Sequence, residues 1–146
     1  MIREKIFHFT AFACLGITAE IIFTAFSDLI WIDKPTSELL KLQGYTYVWM
    51  ILIYGSASFL IPWFYRLIKR FPLLVRMLLY TAGIFLIEYI SGFLLEITTG
   101  QCPWEYTNSL NISGYIRLDY TPFWMFFGWV LESVHRFLSE KIVLKP

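Results

Sequence analysis

From Leu42 to Tyr65 the chain carries no acid or base other than tyrosine, and three further stretches, Ile6–Ser27, Leu73–Thr98 and Thr121–Leu138, are interrupted by only two or three ionisable groups each. About 20 apolar residues in a helix cross the hydrocarbon core of a bilayer, so such runs restrict the chain to folds that live in lipid. The composition agrees. Of 146 residues, 58% are hydrophobic, 20% aromatic and 16% charged, whereas a soluble domain is about 45–50% apolar and about 25% charged. A chain this short cannot bury the excess in one core, and its aromatic content excludes intrinsic disorder. A net charge of +1 gives no electrostatic footprint for a nucleic-acid partner.

The expected fold is all-α: a polytopic membrane helix bundle forming one integral membrane domain over 1–146, with helices at about 6–27, 44–66, 73–98 and 121–138. Pro62 falls near the end of the second helix and should kink its last turns, which membrane helices tolerate. Arg3 and Lys5 precede the first helix, Arg66, Lys69, Arg70 and Arg76 flank the turn between the second and third, and Arg136, Lys141 and Lys145 follow the fourth. The opposite loops hold Lys34, Lys41 and Arg117 with the acids Asp28, Asp33, Glu38, Glu105 and Asp119. By the positive-inside rule both termini then face the cytoplasm, in the cell membrane if the source is bacterial. Arg3, Lys5 and Ala11-Phe12-Ala13 imitate a signal peptide, but the apolar stretch before that site is too short, so an uncleaved helix is expected.

Cys14 falls in the cytoplasmic half of the first helix and Cys102 in the exterior loop in this topology, so no disulfide is expected. Two distant histidines and no Cys-x-x-Cys spacing give little support for a metal site, and without a glycine-rich phosphate loop no cofactor is expected.

Glu20, Glu88 and Glu132 lie well inside the predicted spans, where an ionisable side chain costs about 2.5–3.5 kcal/mol even on the lenient insertion scale. Counted from the helix ends, their depths agree within a couple of turns, so one shared interior site for all three is expected. Gly16, Gly92 and Gly128 each stand four residues from one of these acids. Residues four apart share a helix face, and small residues let membrane helices approach, so the acid faces read as interior faces. Glu132 has a bland alternative in an ion pair with Arg136 or His135. Clustered carboxylates in a low dielectric cannot all stay ionised, so a shared site implies a bound proton, a cation or an arginine.

The exterior connection Thr99–Tyr120 is longer than loops without a role usually are, and is expected to be structured. It holds Trp104, Tyr106 and Asn111, and Tyr115 to Tyr120 alternate in a strand-like way. Interfacial anchoring explains Trp104 and Tyr106 as well as a lid over the acids does. Arg117 is the one base in the connection and the natural counter-charge for a glutamate or a lipid phosphate. The candidate ligand-binding set is Glu20, Glu88, Glu132, Trp104, Tyr106, Asn111 and Arg117.

Several blocks, in order, resemble one family: Ala19-Glu20-Ile21-Ile22-Phe23-Thr24-Ala25, Val48-Trp49 with Ile53-Tyr54-Gly55, Glu88-Tyr89 with Gly92-Phe93, Cys102-Pro103-Trp104-Glu105-Tyr106, and Gly114-Tyr115-Ile116-Arg117-Leu118. They are similar to the vertebrate transmembrane protein 229 family and its bacterial relatives, the ABC-transporter type IV or CmpB-like membrane proteins. The resemblance covers roughly Ala11 to Glu132 and implies a multi-pass, transport-associated membrane protein. The family's usual Trp-Asp-Tyr is here Trp104-Glu105-Tyr106.

Two function classes stay open. The chain is either a small transport or ligand-binding protein holding a cation or lipid headgroup on its acids and aromatics, or an intramembrane lipid-modifying enzyme with Glu20 or Glu88 as general base. A structural subunit of a membrane complex is the bland third reading. Membrane lipids are the expected partners, and four helices make so thin a wall that a dimer is expected.

Overall fold

The computed structural model describes residues 2–31, 40–107 and 110–142, with the backbone alone for 28–31 and 140–142. Asp33, Lys34, Glu38, Asn108 and Lys145 lie outside the described residues. Among the described residues four α-helices form: α1 (Ile2–Trp31), α2 (Met50–Ile68), α3 (Leu73–Thr99) and α4 (Thr121–Ile142). Ile2–Ser27 of α1, all of α2 and all of α3 are long and apolar enough to cross a membrane, so the chain is a multi-pass membrane protein. Between α3 and α4 stands a small antiparallel hairpin of β1 (Asn111–Ile112) and β2 (Ile116–Arg117), followed by a 3-10 turn, Leu118–Tyr120. The chain divides into two compact units, residues 1–59 and 60–146, and α2 runs through the boundary and on past Pro62.

In the first unit α1 carries the packing surface. Phe12, at 1% exposure, is its most buried large side chain. A Cβ placed on Gly16 would run into the Tyr54 ring, and one on Gly55 into the Phe9 ring, so each glycine admits an aromatic from the other helix. The second helix begins at Met50 rather than at the expected residue 44. The cause is local competition for the backbone. The Tyr45 N–H donates to Thr24 Oγ1 at 2.9 Å, and the Thr24 hydroxyl donates to the carbonyls of Ile21 and Tyr45, both at 3.1 Å. Residues 42–47 are thereby laid against α1, and a Cβ on Gly44 would collide with the Ile21 carbonyl oxygen.

In the second unit α3 and α4 pack antiparallel. Trp124, Phe127, Gly128, Leu131 and Glu132 are the buried positions of α4, a helical stripe at the spacing that faces one neighbour. A Cβ on Gly128 would lie 2.5 Å from Tyr80 Cβ, so the two helices touch there almost backbone to side chain. Phe64 of α2 meets the Tyr80 ring edge-on, with centroids 5.4 Å apart. Pro72 precedes α3 and Gly100, at φ 84°, ends it in the left-handed conformation that favours glycine.

Gly128→Val should therefore lower stability by about 1–3 kcal/mol through overpacking. Gly83→Ala should not, because its nearest neighbour would be Phe64 Cζ at 4.0 Å. Thermal unfolding of both variants in detergent reads the contrast.

Candidate functional site

Glu88 projects from the middle of α3, half-buried, and the Tyr106 hydroxyl donates to its Oε1 at 3.0 Å. Two turns further along α3 the Tyr115 hydroxyl donates to Glu96 Oε2. Between these clasps lies Gly92, where a Cβ would stand 3.0 Å from Tyr115 Cδ1, 3.3 Å from Cys102 Sγ and 3.4 Å from Trp104 Cζ2. The absence of a side chain at Gly92 is thus what seats the connection on the helix. Trp104 and Ile116 are buried at 7% exposure each. Tyr115 also meets Tyr89 edge-on at 5.1 Å, and Tyr106 meets Tyr120 at 5.9 Å.

Arg117 pairs within the connection itself, with Asp119. Its Nε and Nη2 donate to Asp119, the shortest at 2.8 Å, its Nη1 donates to the Tyr120 hydroxyl at 2.9 Å, and its guanidinium lies 4.4 Å from the Tyr120 ring centroid. Asp119 accordingly holds the guanidinium protonated above its ordinary range. Asn111 is a turn residue: its Oδ1 accepts the Gly114 N–H at 3.0 Å, stabilising the tight reversal in which Ser113 and Gly114 take φ 54° and 75°. Burial pushes the Cys102 thiol up, which disfavours its thiolate as a nucleophile.

Glu132 is placed elsewhere, and this corrects the expectation of one site for all three acids. Arg76 donates Nε to Glu132 Oε2 at 3.0 Å and Nη2 to Oε1 at 2.9 Å, a bidentate pair with the carboxylate side chain only 3% exposed. Arg76 and Glu88 lie on one helix, from position 76 to position 88, or about 18 Å apart at 1.5 Å per residue. Counting from predicted helix ends missed this, because α4 begins level with Glu88 and not at the end of α3. The partner of Glu132 is neither Arg136 nor His135. The His135 ring instead packs edge-on against Tyr65 at 5.7 Å.

Glu20 belongs to the first unit, where it accepts hydrogen bonds from the Thr46 and Tyr54 hydroxyls. It therefore helps Thr24 hold residues 42–47 on α1. Sequence reasoning missed Thr46, Tyr54, Tyr115 and Asp119 as partners. Only Asp119, two residues beyond Arg117, left a signal in the spacing. Among the described residues no group of three or more His, Cys, Asp or Glu gathers that could hold a metal ion.

The model of the family described as "Putative ABC-transporter type IV" matches residues 7–146. No solved structure matches the chain.

Two measurements test the geometry. Arg76→Leu should destabilise the protein by about 3–5 kcal/mol, because it leaves a buried carboxylate unpaired, and adding Glu132→Leu should recover most of the loss. Unfolding of both variants reads the difference. Tyr115 is pushed up to about 12 from 10.0, first by its hydrogen bond to Glu96. A raised tyrosine contributes stability below its unfolded value and loses it as pH rises through the folded one, so this clasp should hold below pH 10 and release towards pH 12. The tyrosinate absorbance difference between the parent and Tyr115→Phe measures it, and Glu96→Leu should move that transition down.

Proposed function

Because the chain belongs to this family of ABC-transporter type IV membrane proteins over residues 7–146, we propose that it is a transport-associated membrane protein that holds the amine of a cationic ligand or lipid headgroup on Glu88, beneath the aromatic connection. The observation that carries this reading is the Tyr106 hydroxyl on Glu88, with the Tyr120 ring against Tyr106. A hydroxyl donor is readily exchanged for an ammonium donor, whose charge-assisted hydrogen bond to a carboxylate is about twice as strong. The Tyr120 ring already carries the Arg117 guanidinium 4.4 Å from its centroid, so the aromatic contribution to a ligand's cation falls to Tyr106. Arg117 engages Asp119 at 2.8 Å, so the nearest base brings its own compensating acid. Trp104 acts by seating the connection on Gly92. Glu20, Glu132 and Asn111 hold structure through Thr46, Arg76 and Gly114, and we assign them no ligand contact. Arg66, Lys69 and Arg70 support, by the positive-inside rule, a cytoplasmic α2–α3 turn with the ligand site towards the far side.

Glu88→Gln keeps the shape and removes the charge. Binding of phosphatidylethanolamine to the purified protein, followed by native mass spectrometry with phosphatidylglycerol as the anionic control, should weaken about tenfold, about 1.4 kcal/mol. If binding is retained while turnover of the lipid is lost, the site is an enzyme's. A lowered melting temperature with binding unchanged makes Glu88 a clasp for the connection only.

A further inference from the structure

Among the described residues the second unit carries four exposed bases, Arg66, Lys69, Arg70 and Arg136. The Lys69 N–H donates to the Tyr65 carbonyl at 2.9 Å, which continues the helical bonding one residue past the end of α2 at Ile68. Arg66 and Lys69 therefore keep the three-residue spacing that puts two side chains on one face. Arg70 follows, and the Phe71 N–H donates to the Ile68 carbonyl at 2.9 Å as the chain turns into α3. Arg76 ties this turn down from α3 by donating to the Phe71 carbonyl at 3.0 Å. Arg136 comes from the other helix. The Tyr65 ring meets His135 edge-on at 5.7 Å, so α2 and α4 each present an arginine from the residue next to that contact.

Among the described residues none of these four bases makes an ion pair or a side-chain hydrogen bond. Glu132, one turn from Arg136 on α4, is already matched by Arg76 through both of its carboxylate oxygens. The rest of the sequence adds one acid, Glu140, and two bases, Lys141 and Lys145, so the sign of this end is unchanged. Like charges three and four residues apart repel, and a bound anion relieves that repulsion. The residues beside the bases indicate which anion. Leu67, Phe71 and Phe137 directly follow Arg66, Arg70 and Arg136 in the chain, and they are 56%, 48% and 59% exposed. A ligand that reaches the charges therefore also lies against apolar surface, from which an amphiphile gains and a soluble anion does not. We propose that this end of the second unit holds an anionic phospholipid, its phosphate among Arg66, Lys69, Arg70 and Arg136 and its acyl chains along Leu67, Phe71 and Phe137. The site takes the opposite charge from the one at Glu88. Each base beside an anionic lipid surface contributes about fivefold in affinity.

The test is native mass spectrometry of the purified protein with phosphatidylglycerol, and with diacylglycerol as the control that has the acyl chains without the phosphate. Arg66→Gln combined with Arg136→Gln takes one charge from each helix and leaves Lys69 and Arg70 to keep the orientation. It should weaken phosphatidylglycerol retention by about twentyfold and leave diacylglycerol retention unchanged. Arg66→Lys combined with Arg136→Lys should restore it. Unchanged phosphatidylglycerol retention in the glutamine pair, or equal loss of both lipids, overturns the proposal, and so does a lysine pair that fails to restore retention. Inorganic phosphate is the competing source of the same chemistry. If it raises the melting temperature as much as phosphatidylglycerol does at matched phosphate concentration, the site takes soluble anions and the lipid assignment is overturned. Phosphatidylglycerol carries no amine, so the outcome is read independently of what Glu88 holds.

Discussion

Water is absent from the interior of a bilayer, so any polar group carried there must bring its partner with it. Most of what is irregular in this protein follows from that condition. Residues 42–47 leave helical geometry, and Thr24 supplies both a donor and an acceptor to the Tyr45 backbone they expose. Glu20, one turn before Thr24 on α1, accepts from Thr46 in the same segment. An unwound segment of this kind is tolerated where protein rather than lipid satisfies it, and α1 contributes that satisfaction from two positions on one face.

Charge obeys the same rule with larger consequences. Arg76 is one of the bases expected to flank the α2–α3 turn, yet its side chain reaches Glu132 and the Phe71 carbonyl. A buried ion pair adds little net stability over an apolar pair of the same size, but breaking it is costly, so its effect is to specify one arrangement. Here it fixes which turn of α4 faces which turn of α3. Gly128, one turn before Glu132, lets Tyr80 close the interface in that register. The bidentate geometry of an arginine fork tolerates little sliding, and a displacement of one turn would also set a side chain against Tyr80.

How much of this the sequence disclosed depends on the range of each interaction. The helices α1, α3 and α4 were legible because hydropathy and helical periodicity are local, although α4 is not among the helices long and apolar enough to cross a membrane. The start of α2 was not, because residues 42–49 carry no charge and run without a break into the helix that follows, and what unwinds them is Thr24, some twenty positions earlier. The glycine beside each acid was legible as a site of close approach, and each does receive an aromatic ring: Tyr54 on Gly16, Trp104 and Tyr115 on Gly92, Tyr80 on Gly128. That Glu88 and Glu132 lie at different depths was hidden. Their apparent agreement rested on measuring α4 from the membrane surface, whereas its first residue is fixed by Tyr120 and Tyr106 against Glu88.

The partner of Arg117 follows from the same reasoning. An unpaired guanidinium in a connection that lies along α3 would cost as much as an unpaired acid, and a long-range partner would have to be found during assembly. Asp119 removes that problem locally. Arg117 is extended, at φ −120° and ψ 108°, and the 3-10 turn beginning at Leu118 brings Asp119 back towards it within two residues. The hairpin thus arrives at α3 already neutral at this position, and Tyr106 and Tyr115 make its polar contacts to the helix through uncharged hydroxyls. These donors add no charge of their own where they meet Glu88 and Glu96, so Arg117 and Asp119 are matched within the connection while its contacts to α3 are made by hydroxyls.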